Sequence, residues 1–328
     1  MPIELGTVGG SETLIRDLYL DLRKRINQWA ELTKQTAQAR MGYVGQHLVS
    51  VATGFHGGRS GARGHDLIIP NRGFGEIKTC YRVDQLGKCN SCGQPVASIE
   101  FNCSYCDSTN IKRNDDSKWL ITMSHEKDFS EILDPYRYYL VLFDFTDLEH
   151  PHTVRASIWE VDPIVPGFAY CMVDYWYNIK AKSTSGAPFN MWPFQLKFDV
   201  MKPLLIYRSL INEDKIMTEL FPGRDAPVLH PIQPLPAYGR SQNLKGERLT
   251  QLARDLNFVS RTPMARRPEY LTEMQRHIQR ERIPSGVVAD ALANALYEEA
   301  IRHHLPNLPA KLKSRIQQTR ASEQGTLI

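Results

Sequence analysis

His65-Asp66-Leu67-Ile68-Ile69-Pro70-Asn71-Arg72-Gly73-Phe74-Gly75-Glu76-Ile77-Lys78 places one carboxylate before a short apolar run and a Glu-x-Lys after it. Pro70, Asn71 and Gly73 interrupt the run with turn-forming residues, so the stretch reads as two short strands joined over Pro70 to Gly73. Successive strand side chains point to opposite faces. Glu76 and Lys78 therefore project together, and Ile77 turns to an apolar side. If the first strand pairs with the second, Asp66 at its end approaches Glu76. A surface hairpin with solvated ends would carry the same residues, so the flanking sequence has to decide.

Upstream, Leu14, Leu18, Leu22, Ile26 and Trp29 recur at helical spacing, predicting an amphipathic helix over about 11–36. A second helix is expected over about 37–52, ending near Gly54. A loop follows, Gly54 to Gly64, with Arg59 and Arg63. Its glycines permit close backbone approach, and its guanidiniums suit phosphate oxygens. Downstream, Arg137–Phe145 is the aromatic, β-branched run of a buried central strand. Further strands are expected over 155–161, 195–198 and 204–207. Helices, then strands, then helices again predict an α/β (α+β) fold with a mixed central sheet flanked by helices.

Four of the six cysteines, Cys89, Cys92, Cys103 and Cys106, form two CxxC pairs. Each pair sets two thiolates on one turn, and two such turns make a tetrahedral S₄ site suited to structural zinc. A closed shell of four thiolates leaves no open position for catalysis. The pattern resembles a zinc ribbon inserted over about residues 85–115, which either stabilises its own loop or also presents Lys88, Lys112 and Arg113 to DNA. Cys80 and Cys171 are expected to be buried thiols without chemistry.

Two carboxylates brought together repel, and a hard divalent cation relieves that repulsion. Magnesium takes one or two carboxylates together with water and phosphate oxygens. Such an ion stabilises charge on an attacked phosphate and acidifies a bound water. Lys78 beside it could orient or help deprotonate that water and offset phosphate charge.

Asp66 with Glu76-Ile77-Lys78, nine residues separating the acids, resembles the signature of the PD-(D/E)XK nuclease superfamily. His65 stands where that signature commonly has proline, which is not a ligand. Gly42-Tyr43-Val44-Gly45-Gln46 resembles the superfamily's G-x-x-G-E setting with glutamine at its end. Gln46 removes one negative charge, which favours one firmly held magnesium over two. The resemblance spans roughly 11–161 and implies Asp66, Glu76, Lys78 and Gln46 as the catalytic set, with Asp66, Glu76 and the Ile77 carbonyl as magnesium ligands. It further implies a type II restriction endonuclease that acts on double-stranded DNA, as a homodimer. A repair or junction-resolving nuclease, and a non-catalytic zinc-ribbon DNA-binding protein, remain open on the residues alone.

The wider composition is compatible with this. Hydrophobic residues make up 42% and charged residues 23% of 328, as in ordinary globular proteins. No secretory leader pattern and no 18-residue apolar run is present, so a cytoplasmic, prokaryotic intracellular protein without membrane spans is expected. No G-x-x-x-x-G-K-[ST] run occurs, which gives no support to ATP-driven translocation. Net charge is only +4, but residues 241–328 hold 14 Lys and Arg against 9 Asp and Glu, a basic excess suited to a polyanion. The expected partition is a nuclease domain over 1–220, a proline-rich linker or surface wrap over 221–246, and helices over 247–328. Within the last, 247–256, 269–282 and 285–303 read as helices. The first of these, with its following turn, is loosely like half of a helix-turn-helix offering Arg261, Arg266 and Arg267 to DNA. A packed bundle with a solvated basic face is the plainer reading of the same residues.

Overall fold

The structure, a computed structural model, describes residues 4–37, 39–58, 65–83, 87–96, 102–103, 105–112, 119–123, 125–145, 153–163, 165–190, 200–220, 235–236, 244–308, 310, 313–314 and 317. The expected strand over 195–198, Arg59, Arg63, Arg113 and most of the proline-rich stretch lie outside them.

Two compact units emerge. Unit 1 comprises Met1–Leu120, Pro135–Val161 and Leu204–Leu229, and unit 2 the intervening Ile121–Asp134 and Asp162–Pro203 with His230–Ile328. The second unit therefore draws on two segments inside the 1–220 range that the sequence groups as one domain.

Unit 1 is built on a six-stranded mixed sheet of order β1-β2-β7-β8-β10-β11. Its strands are β1 (Leu67–Ile69), β2 (Gly73–Val83), β7 (Arg137–Phe145), β8 (Thr153–Val161), β10 (Leu204–Asn212) and β11 (Lys215–Leu220). β2 and β7 run parallel, and the remaining neighbours are antiparallel. Tyr138 to Phe143 are all buried, as expected for a central strand covered on both sides. Three short strands, β3 (Gly87–Cys89), β4 (Pro95–Val96) and β5 (Ile111–Lys112), form the cysteine-bearing insert in the order β4-β3-β5. A separate two-stranded sheet, β6 (Leu120–Ile121) with β9 (Phe189–Asn190), falls mostly in unit 2.

Three helices precede the sheet: α1 (Val8–Ile15), α2 (Leu22–Thr33) and α3 (Met41–Thr53). One continuous amphipathic helix was expected over 11–36, and here the structure corrects the reading. A π-helical turn, Arg16–Asp21, joins α1 to α2. Its wider winding rotates the buried stripe onto Leu14, Ile15, Tyr19, Leu20 and Arg23, and leaves Trp29 66% exposed. Arg23 is buried against the rings of Tyr19 and Tyr81, and burial lowers its pKa below the usual arginine value.

α3 ends at Gly54, as expected from its sequence, and packs on β2. A Cβ at Gly45 would lie 2.0 Å from Thr79 Oγ1, so only glycine allows this approach. Gly45→Ala is expected to cost about 1–3 kcal/mol in denaturant unfolding as helix and strand are forced apart. Thr79 Oγ1 is itself buried with no hydrogen-bond partner among the described residues. Adding Thr79→Ala should therefore recover part of the loss, and unchanged stability in Gly45→Ala would refute the close packing.

Unit 2 contains α4 (Glu126–Ser130), α5 (Pro166–Tyr175), α6 (Glu247–Asp255), α7 (Arg267–Arg280) and α8 (Ser285–His304). α8 packs against α5 and α6. Val288, Ala289, Leu292, Ala293, Leu296 and Ile301 are all buried, so α8 is covered on several sides within its own unit. His303 is exposed, whereas His304 stacks on Tyr177 with ring centroids 4.6 Å apart. Leu235, in the proline-rich stretch, is buried, and its N–H donates to Gln275 Oε1 at 2.9 Å. No described helix is long and apolar enough to cross a membrane.

Candidate active site and metal centre

The hairpin that carries Asp66 and Glu76 owes its register to its turn. Arg72 N–H donates to the Ile69 carbonyl at 3.1 Å across Pro70 and Asn71. Pro70 favours the first turn position, and Asn71 accepts the left-handed φ of 60° at the second. The resulting pairs are Leu67 with Gly75, Ile68 with Phe74 and Ile69 with Gly73. One further step along that register sets Asp66 opposite Glu76. Directly opposed strand residues hold their Cβ atoms about 4.5–5.5 Å apart. Nine intervening residues are thus the spacing that this hairpin needs to face one acid with the other.

Leu67, Ile69 and Ile77 are buried in the sheet-and-helix core, while Asp66, Glu76 and Lys78 are half-buried. Burying one isoleucine contributes about 1.5–3 kcal/mol, so the apolar positions of the motif fix where its polar ones emerge. Asp66 Oδ2 accepts from the Ile77 N–H at 2.9 Å, and Oδ1 accepts from Gln46 Nε2 at 2.8 Å. Lys78 Nζ pairs with Glu76 Oε1. The structure therefore brings together Gln46, Asp66, Glu76, Ile77 and Lys78.

Burial raises the Asp66 pKa above the usual carboxylate value, and the Glu76 charge pushes in the same direction. The Ile77 N–H, Lys78 and Gln46 act against this. Residual repulsion between two carboxylates in a half-buried oxygen-rich site fits a hard divalent cation. His65 stacks on Phe74 with ring centroids 3.8 Å apart and so braces the hairpin from outside. The glycine loop lies alongside: Ile68 N–H donates to the His56 carbonyl at 2.9 Å. At Gly58 a Cβ would fall 2.0 Å from the His65 carbonyl oxygen, so the described start of the loop packs directly on the residue before Asp66.

In the insert, the four cysteine Sγ atoms lie within 4.8 Å of one another and could hold a metal ion. Two of their separations are 3.7 Å (Cys89 to Cys106) and 3.5 Å (Cys92 to Cys103). Tetrahedral zinc with Zn–S of about 2.3 Å places its sulfurs about 3.8 Å apart, so the donor set fits. The two CxxC turns repeat one backbone design. Cys89 N–H donates to Gln94 O and Gly93 N–H to Cys89 O; Cys103 N–H donates to Ser108 O and Asp107 N–H to Cys103 O. The residue after each second cysteine is left-handed, Gly93 at φ 75° and Asp107 at φ 54°. Side chains tie the turns together through Asn90 with Asn110 and Ser91 with Ser108.

Thiol chemistry agrees with this arrangement. The Cys92 backbone N–H favours the Cys89 thiolate most and lowers its pKa to about 6. For Cys106 the Ser108 N–H acts likewise, but the crowding thiols led by Cys92, with burial, push it up to about 12. Four adjacent thiols do not all ionise without a cation among them. Cys80 and Cys171 are buried, as expected.

The remaining candidates lie in unit 2. Arg261 and Arg266 are exposed, and Arg267 Nη1 reaches the Leu244 carbonyl at 3.5 Å. The connection between α6 and α7 spans residues 256–266, much longer than the roughly 3–4-residue turn of a helix-turn-helix. It is firmly held: Phe258 N–H donates to Ala253 O at 2.8 Å, and Ser260 bonds Glu273. Sequence reasoning passed over Arg72, Tyr136, Arg137 and Glu160, which meet beside the hairpin. Their signal was faint: an arginine in the turn itself and a Tyr-Arg pair heading the long strand.

No curated protein and no solved structure matches the chain. A family model described as MamI restriction endonuclease matches residues 28–236, more than half of the sequence, and spans α3, the β1–β2 hairpin, the cysteine insert and the strands of the main sheet. The chain thus belongs to the MamI restriction endonuclease family, enzymes that hydrolyse DNA at specific sequences.

Proposed function

We propose that the chain is a magnesium-dependent type II restriction endonuclease of PD-(D/E)XK type, cutting both strands of duplex DNA as a homodimer. The observation that carries the catalytic assignment is the side-chain cluster at the hairpin's open end: Asp66 accepts from the Ile77 N–H and Gln46, feels the Glu76 charge, and Glu76 pairs with Lys78. Family membership favours restriction cleavage over repair, junction resolution or non-catalytic binding.

Asp66, Glu76 and the Ile77 carbonyl would hold the magnesium ion. When bound, the ion supplies positive charge at the attacked phosphate and acidifies water. Gln46 and the Ile77 N–H fix the Asp66 carboxylate in place, so little reorganisation is left for the reaction itself. Lys78, steadied by Glu76, orients the attacking water and offsets phosphate charge. An amide at position 46 adds no negative charge, which supports a single firmly held ion. The four cysteines would hold a structural zinc ion, closed to substrate. Arg59, Arg63, Arg261, Arg266 and Arg267 are the proposed phosphate or base contacts. The homodimer is what the resemblance to type II restriction enzymes implies, in which a two-fold protein matches a palindromic site.

Incubating unmethylated phage DNA with the full chain and magnesium tests this reading. Discrete bands that vanish with chelator are expected, whereas intact DNA at all magnesium concentrations would overturn it.

A further inference from the structure

Beside the catalytic hairpin, unit 1 has a cavity of about 380 Å³. Its apolar floor is Phe55, Ile69 and Tyr139, and its charged wall is Arg72, Arg137 and Glu160. Arg137 is nearly buried and is held by Glu160 at 3.1 Å, by the Tyr136 carbonyl at 2.7 Å, and by the Tyr136 ring 4.1 Å below its guanidinium, among other contacts. Arg72 is different. It is exposed, its Nη1 donates to Tyr136 Oη at 2.7 Å, and it has no carboxylate partner among the described residues. Arg137 Nη2 donates to the same phenol oxygen at 3.3 Å.

Two guanidiniums sharing one tyrosine repel unless an anion joins them. Glu160 offsets one of the two, so the pocket keeps one net positive charge. That charge matches a phosphodiester, which carries one negative charge. A stacked base suits the site less well, because both guanidiniums already lie over the Tyr136 ring. Position strengthens the case. Arg72 sits in the turn of the very hairpin that bears Asp66 and Glu76, four residues before the second acid. At about 3.3 Å per residue this is ~13 Å, a few nucleotides of a strand lying along the hairpin.

We propose that this pocket seats a backbone phosphate of the DNA flanking the cut site, with Arg72 as the contacting residue and Tyr136, Arg137 and Glu160 as the frame that positions it. The proposal rests on the reading of the hairpin as the cleavage site. Arg72 thereby sets how the strand enters that site without taking part in bond breaking.

Equilibrium binding of the full chain to a labelled duplex of mixed sequence, measured across salt without divalent metal, tests it. Arg72→Ala is expected to weaken binding about tenfold, and to flatten the slope of log K against log salt by about 0.9. Arg72→Lys should keep the slope while losing part of the affinity, because lysine supplies charge without the fork. Glu160→Gln, which leaves Arg137 uncompensated, should act oppositely, steepening the slope and tightening binding. A merely structural role predicts no slope change in any of these variants, and that result would overturn the proposal. Asp66→Asn keeps the two readings apart: if it still cuts, the cleavage-site assignment fails, while the salt slopes still judge the phosphate contact.

Discussion

Asp66→Asn is expected to lower DNA cleavage by about 10³-fold or more, since a lost metal ligand removes several kcal/mol of transition-state stabilisation. The side chain keeps its shape, and an asparagine oxygen can still accept from the Ile77 N–H. Gln46 can turn its amide to meet the new one. Folding should therefore survive, and the raised Asp66 pKa gives the sign of the stability change. A carboxyl that is harder to ionise in the folded chain costs stability as pH rises from the ordinary carboxylate range through its raised pKa. Replacing it with a neutral amide removes that cost, so metal-free Asp66→Asn should melt at or above the wild-type temperature at neutral pH. DNA affinity without metal should be unchanged or slightly higher, because one negative charge is gone. Cleavage near the wild-type rate, with folding intact, would remove Asp66 from the catalytic set and with it the hairpin assignment.

Denying the four cysteines a metal is expected to have the second large effect, and a local one. The insert's own core among the described residues consists of Cys89, Val96 and Cys103, with Ile111 packed alongside. So small a core cannot offset the conformational entropy of the segment, and small metal domains of this kind draw about 10–16 kcal/mol from zinc. Cys103→Ser, or a strong chelator, should therefore unfold residues 87–112 while the main sheet stays folded. Zinc content should fall from one ion per chain to none. Limited proteolysis should open new cuts inside the insert, and cobalt substitution of the wild type should give the absorption of a tetrahedral S₄ site. An insert that resists protease equally with and without metal would show that its fold does not depend on the ion.

How far the residues foretold all this varied with the kind of interaction involved. The hairpin was legible because proline, asparagine and glycine dictate a turn locally, and alternation then assigns the faces of Glu76, Ile77 and Lys78. The two CxxC pairs were legible for the same reason, since each is a closed design within a few residues. The central strand over Arg137–Phe145 declared itself through unbroken hydrophobicity. The helix over 11–36 misled because Leu14, Leu18, Leu22, Ile26 and Trp29 fit an ideal winding, and a π turn depends on what the helix meets across the core. Nothing local marks Arg16–Asp21 as wider than its neighbours. The Arg72 pocket was hidden in a similar way: its four polar members come from three separate stretches that only sheet pairing unites. The division into units was obscured because segments 121–134 and 162–203 cross to the second unit and back.

The parallel pairing of β2 with β7 carries a consequence for the order of folding. Parallel strands cannot be joined by a tight turn, so residues 84–136 must return the chain to the starting end of β2 before the two can zip together. The hairpin of β1 and β2 is local and can form early, whereas its partner strand has to wait for a long loop to close. The cysteine insert lies inside that loop. A metal held by the four cysteines on the nascent chain would shorten the effective tether before β7 arrives. A structural ion in the insert would then speed assembly of the sheet that holds Asp66 and Glu76.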